Sequence, residues 1–166
     1  VPHPKIADTP ALLAALSTRL FGGTGVGGTA AQLHGSTLGT IDLDIVHRRD
    51  PANVARLLAT LERLDAFHRC DLANRHLRPT SEQLLGTGQL NLSTSLGPLD
   101  PLCELEPGQG YDELLAHTEV MKDEGIEIRV VDLPTLIEIK SKLGRAKDKL
   151  MVADLIAILE ERSRGI

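Results

Sequence analysis

Aromatic side chains are almost missing from this chain: among 166 residues there is no tryptophan, and Phe21, Phe67 and Tyr111 are the whole aromatic complement. The core must therefore be built from Leu, Ile, Val and Ala. A stacking platform for single-stranded nucleic acid is excluded, because such platforms need several exposed rings. Cysteine is scarce too. Cys70 and Cys103 stand in no metal-ligand spacing, which reads as two reduced thiols in a cytoplasmic protein. Neither a signal-peptide pattern nor a long apolar span precedes them, so no membrane partner is expected. Basic excess is also lacking: the net charge of −5 gives no global attraction to a phosphate backbone and leaves only a local basic patch open. With no internal repeat, low-complexity tract or linker, residues 1–166 read as a single domain, long enough to bury a core without disulfides.

What is present organises itself around Val26 to Val46, VGGTAAQLHGSTLGTIDLDIV. Asp8 or Thr9 followed by Pro10 starts a first helix with Leu12, Leu13, Leu16 and Leu20 on one face. FGGTG breaks it. A β-strand is expected before the Gly27–Gly28 turn, yet only Val26 and Phe21 supply β-forming residues. Thr29 to His34 is helix-compatible and closes at Gly35. Ile41 to Val46 alternates apolar and acidic residues with the period of a strand, which puts Asp42 and Asp44 on one face. Asp50-Pro51 opens another helix, with Val54, Leu57, Leu58, Leu61 and Leu64 as its stripe.

Further on, Phe67 to Thr80 reads as a basic loop and Ser81 to Leu85 as a helical turn. Gln89 to Leu96 reads as a strand, turned at Gly97-Pro98 and returned through Leu99 to Leu105, where Pro101 restricts the return to an edge or a short piece. Tyr111 to Ala116 makes a short helix at best. Thr118 to Met121 and Ile126 to Val131 form a hairpin across Lys122 to Gly125. A helix from Asp132-Leu133-Pro134 runs to Leu143 before Gly144, and a last helix carries Val152, Leu155, Ile156 and Leu159.

Two aspartates at i and i+2 on a strand stand ~7 Å apart along the backbone, close enough to share cations. Without a counterion each raises the other's pKa. Two magnesium ions resolve that repulsion and supply what phosphoryl and nucleotidyl transfer need. A D-x-D alternation also occurs on the wet face of an ordinary amphipathic strand. The glycine pair Gly27-Gly28 ahead of a helix shifts the balance, because it lets backbone amides approach a triphosphate at a helix N-terminus, with the Thr29 hydroxyl beside them.

A glycine pair, a connecting stretch and D-x-D, with a third acid on a later strand, resembles the signature of the nucleotidyltransferases of the DNA polymerase β type. The matching residues are Gly27, Gly28, Asp42 and Asp44, with Asp100 in Leu99-Asp100-Pro101-Leu102 in the place of the third acid. Leu136-Ile137-Glu138-Ile139-Lys140 followed by Gly144-Arg145-Ala146-Lys147-Asp148 is similar to the bacterial single-domain, abortive-infection-associated branch, which includes toxin components of toxin–antitoxin pairs. The resemblance implies an α/β (α+β) fold with a small mixed, curved sheet flanked by helices and a C-terminal helix pair. It implies a magnesium-dependent enzyme that transfers a nucleoside monophosphate from a nucleoside triphosphate to an acceptor hydroxyl. Asp42, Asp44 and Asp100 would hold two Mg2+ ions, Gly27, Gly28 and Thr29 the triphosphate, and Lys140 would neutralise it.

The acceptor stays open between a tRNA or other RNA end, a cognate toxin or antitoxin protein, and a small hydroxylated antibiotic. A catalytically silent binding module of the same fold is the rival from another class. Lys140 shares its helical face with Leu136 and Leu143, which leaves it to snorkel, to pair with a buried acid or to meet phosphates. Asp148 can cap the last helix, with Arg145 and Lys147 beside it on a charged surface. His34 reads as a packing histidine, and Glu104 and Glu106 read as surface residues. His47, Arg48 and Arg49 can touch an acceptor or simply form a solvated strand end. The loop carrying His68, Arg69, Arg75, His76 and Arg78 can hold RNA phosphates.

Overall fold

The computed structural model describes residues 2–17, 22–123 and 125–165, Asp123 by its backbone alone. Leu20 and Phe21, expected on the first helix face and in the approach to the glycine pair, lie outside the described residues, as does Glu124 in the hairpin turn. The order of elements is α1 (Thr9–Ala15), β1 (Gly23–Val26), α2 (Gly27–His34), β2 (Leu43–His47), α3 (Pro51–Arg63), β3 (Phe67–His68), α4 (Ser81–Leu85), β4 (Leu92–Thr94), β5 (Gly97–Leu102), α5 (Tyr111–Leu114), a 3-10 turn (Leu115–His117), β6 (Thr118–Asp123), β7 (Ile126–Val131), α6 (Leu133–Leu143) and α7 (Ala146–Ser163).

Three helices begin on aspartate side chains. Asp8 accepts from Ala11 N, Asp50 from Asn53 N and Asp132 from Thr135 N, each with proline in the first turn. Such a cap satisfies an otherwise orphaned N–H and contributes about 1 kcal/mol. Gly35 and Gly144 end α2 and α6 in the left-handed region, with φ of 114° and 64°, where a side chain would be strained.

The strands form one mixed sheet in the order β3-β4-β5-β2-β1-β7-β6. β2 runs parallel to β5 and antiparallel to β1, and β1 runs parallel to β7. Leu43 and Ile45 of β2 pack with Leu12, Val54, Leu57, Leu61, Leu84 and Leu99 on the α1, α3 and α4 face. Val26, Val46 and Val131 pack with Ala30, Ala31, Leu136 and Leu155 under α2, α6 and α7. The period of two along β2 thus sends Asp44 with Val46 to the second face and His47 with Leu43 and Ile45 to the first. Among the described residues no helix is long and apolar enough to cross a membrane.

The strand expected ahead of the glycine pair is present, and three other sequence expectations are corrected. β1 forms in the middle of the sheet although its sequence is GTGV. Four register pairs to β2 and the Gly25–Val130 pair to β7 hold it on both sides, so pairing overrides weak β propensity. Asn53 adds a side-chain staple, accepting from Gly22 N at 2.5 Å and donating to Gly22 O and Arg48 O at 2.8 Å.

β5 is not an edge strand, since it lies between β4 and β2. Pro101 is tolerated because its carbonyl faces Leu90 N at 2.9 Å. Its missing N–H falls on that same side, beyond the end of β4, and costs no bond to β2. β4 itself is confined to Leu92–Thr94, and Gln89 reaches β5 only as an isolated bridge to Leu102.

Asp148 does not cap α7. Arg145 occupies the cap position without a side-chain bond, and Asp148 is buried in the first turn. Leu143, expected on the inward face with Lys140, is half exposed.

Candidate functional site

Asp44 and Asp100 stand side by side because Leu43–Val46 of β2 pairs in parallel register with Leu99–Leu102 of β5, Asp44 opposite Asp100. On its other side Asp44 faces Val26, the last residue before the glycine pair. Strand neighbours lie about 4.8 Å apart. Asp42, one residue ahead of β2 rather than inside it, is turned toward the same place by the Thr40 hydroxyl, which donates to its Oδ1 at 2.9 Å. The outcome is a triad in which one carboxylate oxygen from each of Asp42, Asp44 and Asp100 lies within 4.8 Å of the other two. Such a cluster of hard oxygen donors can hold a metal ion.

Both glycines make room for this triad. Gly27 has φ +67°, and a Cβ there would collide with the Asp44 carboxylate. A Cβ on Gly28 would come within 2.7 Å of Thr40 Cβ, the residue that orients Asp42. The glycine pair is therefore fixed by the acids as well as by the turn into α2. Thr29 is buried, and its hydroxyl donates to Asp42 O at 3.1 Å. Its side chain braces the Asp42 backbone, while Thr40 is the hydroxyl that lines the cavity.

The triad forms the floor of a cavity of about 550 Å³, within the range of small-molecule sites. Gly27 and Gly28 border it on one side. Leu102, Leu105, Ile139, Leu143 and Leu150 are aliphatic members of its lining, and Lys140, Arg145 and Lys147 its cationic ones. Glu106, expected on the surface, also lines this cavity and lies 3.6 Å from Lys142 Nζ.

Electrostatics at the floor are unbalanced. The Asp44 carboxyl is pushed up from 3.8 to about 7, first by burial, then by the charges of Asp42 and Asp100, against the pull of Lys140 and Arg69. Asp100 is also raised, chiefly by burial, with Arg69 opposing. Lys140 is buried as its helical position demands, and its Nζ lies 3.5 Å from Asp148 Oδ1. Asp148 in turn holds the Arg145 Nε at 2.5 Å, and that bond keeps its carboxyl below the usual range. Lys140, which faces the triad, is thus already shared with another acid. Three crowded carboxylates with so little compensation fit a divalent cation, which would restore Asp44 to its charged form.

Two site contacts were absent from the sequence reading. The Arg69 guanidinium reaches Asp100, with Nη2 2.8 Å from Oδ2, and Asn91 Nδ2 donates to the same oxygen at 2.8 Å. Chain separations of 31 and 9 residues give no periodic signal for either. The alternation from Gln89 to Leu96 does place Gln89 and Asn91 on one face.

The other candidates lie elsewhere. His47 is fully buried on the opposite face of β2 and donates from Nε2 to Leu84 O at 2.7 Å, so it is neither a solvated strand end nor open to an acceptor. Arg48 pairs with Asp112 and lies over the Tyr111 ring, and Arg49 pairs with the half-buried Glu104 at 2.7 Å, both at the end of β2 remote from Asp44. His34 is a packing residue, its Nε2 donating to Val131 O at 2.7 Å.

In the basic loop Arg75 pairs with Asp71, Arg78 with Asp65, His68 with Gln83, and His76 stacks on Phe67 at 4.2 Å. Its charges are largely engaged within the chain. No protein-family model matches the chain, and neither does any curated protein.

Proposed function

We propose that this chain has the nucleotidyltransferase fold and transfers a nucleoside monophosphate from a nucleoside triphosphate to an acceptor hydroxyl, releasing pyrophosphate. The observation that carries the reading is the in-register pair Asp44–Asp100, joined by Asp42 and faced by Gly27. Asp42, Asp44 and Asp100 would hold magnesium through their carboxylates. A pair of magnesium ions bound there supplies an activated attacking hydroxyl and a neutralised leaving pyrophosphate.

The residues around the triad divide the remaining work. Gly27 and Gly28 let a triphosphate approach the N-terminus of α2, whose first N–H groups have no side-chain cap. The backbone of Thr29 belongs to that same turn. Lys140 faces the triad from α6 and adds a point charge for the phosphates. The aliphatic lining of Leu102, Leu105 and Ile139 receives the nucleoside, and Asp100 helps to polarise the acceptor hydroxyl. A cavity lined by both charged groups and aliphatic side chains suits a nucleotide.

The acceptor we propose is the end of a tRNA or another RNA, as in toxin components of the resembling branch. A partner protein and a small hydroxylated compound are the alternatives to be offered beside it. The purified protein is incubated with magnesium and each α-labelled nucleoside triphosphate, with bulk tRNA and cell extract offered separately, alongside Asp44→Ala. Transfer of label to one acceptor is expected, and none with the variant. Label transfer that survives the substitution would overturn the assignment of the triad, and absence of transfer to every acceptor would favour a silent binding module.

A further inference from the structure

We infer that Arg69 is a resident counterion of the triad, which competes with the divalent cation for Asp100. The inference rests on the proposed cation site and concerns how that site is governed. Arg69 lies just after β3 and is anchored away from the cavity: its backbone N donates to Asn91 O at 2.8 Å and its Nη1 to Leu92 O at 3.1 Å. Only Nη2 reaches the triad, where it stands 2.8 Å from both oxygens of Asp100.

The two oxygens differ. Oδ2 also accepts from Asn91 Nδ2 at 2.8 Å, with Gln89 Nε2 at 3.5 Å. Oδ1 is buried and accepts no hydrogen bond; its contact with Arg69 is one of charge alone. Asn91 and Arg69 thus both donate to Oδ2 and orient the carboxylate. What Arg69 alone adds is a positive charge beside Oδ1. Its side chain keeps about a quarter of its surface in solvent, 28% exposed against 4% for Asp100, so the guanidinium can move aside without opening the core. The cation-free triad is thus held together by a charge from its own chain, and cation binding displaces the Nη2 contact while the backbone anchor stays.

Charge and orientation predict opposite effects, which makes the role testable. Mn2+ alone is titrated into the full chain without nucleotide, at fixed ionic strength, with binding read by electron paramagnetic resonance. Arg69→Gln removes the charge and is expected to bind Mn2+ about tenfold or more tightly, given a unit charge within a few ångströms of the ion. Arg69→Lys keeps the charge and stays near the unsubstituted protein. Asn91→Ala loosens Asp100 and weakens binding.

In the unsubstituted protein, the Arg69 side-chain N–H resonance is expected to shift when Mg2+ saturates the site, a readout independent of how the variants fold. Equal or weaker Mn2+ binding by Arg69→Gln, or an Arg69 resonance that Mg2+ leaves unmoved, would overturn the inference while leaving the cation site standing. If no form binds Mn2+, or if Asp44→Ala binds it as well as the unsubstituted protein, the proposed function falls and takes this inference with it.

Discussion

Gly27 and Asp44 occupy the same space in turn: Gly27 lies just beyond the Val26–Asp44 register pair, and a Cβ on it would run into the Asp44 carboxylate. The glycine is thereby tied to the acid by packing, in addition to the positive φ that the turn into α2 requires.

Gly27→Ala should accordingly act twice. The left-handed backbone and the collision together destabilise the fold by about 1–3 kcal/mol, and the displaced Asp44 loses cation binding. Gly108 also has positive φ, +80°, but its Cβ would meet nothing. Gly108→Ala is expected to cost about 1 kcal/mol with cation affinity intact. Chemical denaturation beside Mn2+ titration separates the two. Equal effects of both substitutions on affinity would contradict the packing relationship.

The raised Asp44 carboxyl makes stability depend on pH. Its folded value, about 7, lies above the ordinary 3.8. The folded state therefore binds the proton more tightly than the unfolded state does, and burial of Asp44 costs stability increasingly as pH rises from about 4 to 7 and uniformly beyond. In EDTA, Asp44→Asn should be the more stable protein at pH 8, by about 4 kcal/mol, and should match the unsubstituted protein near pH 4. Magnesium at pH 8 should narrow the gap by stabilising only the unsubstituted form. Urea midpoints across this pH range provide the check, and a gap that widens toward acid would have the wrong sign.

Asp148 is 1% exposed and joins Lys140 to Arg145. Asp148→Ala leaves Lys140 buried without its partner and should cost about 3–5 kcal/mol. Lys140→Met removes the buried ammonium with little loss of volume and should keep the fold, because Arg145 still holds Asp148. It should weaken nucleotide binding about tenfold or more through the lost phosphate charge. Thermal melts and nucleotide titration of both variants decide. A Lys140→Met protein that binds nucleotide normally would assign Lys140 to structure alone.

Asn53→Ala should destabilise by about 2–3 kcal/mol, since it leaves Gly22 N and Arg48 O without this partner. Its distance from the triad along β1 and β2 predicts unchanged Mn2+ affinity. Reduced affinity at full stability would show that Asn53 acts on the triad as well as on β1.

Patterns carried within one element were readable before the structure. Aspartate caps followed by proline, glycines at helix ends and the alternation Leu43-Asp44-Ile45 each encode their own geometry locally. Asp100 was within reach because a leucine-flanked acid on a returning strand has a defined face. β1 was expected from the glycine pair that follows it and not from its own residues: GTGV is a strand only because β2 and β7 lie on either side, about 20 and about 100 residues away. Pro101 misled for the same reason, since whether its missing N–H matters depends on where β4 ends. Asp148 looked like a surface cap because burial of an acid requires knowing that Lys140 and Arg145 converge on it. Arg69 looked like one more cation of a basic loop, and nothing local distinguishes it from Arg75 or Arg78, whose partners are exposed acids or near neighbours. In each case the local pattern was sound and the deciding partner lay elsewhere in the chain.

The most direct test of the account is a crystal of the full chain grown with Mn2+ and a non-hydrolysable nucleoside triphosphate analogue, with anomalous differences recorded for manganese. The account predicts an anomalous peak among the carboxylates of Asp42, Asp44 and Asp100, with the triphosphate lying over Gly27 and Gly28. A nucleotide bound elsewhere, or a triad that holds no manganese in the presence of the analogue, would contradict it.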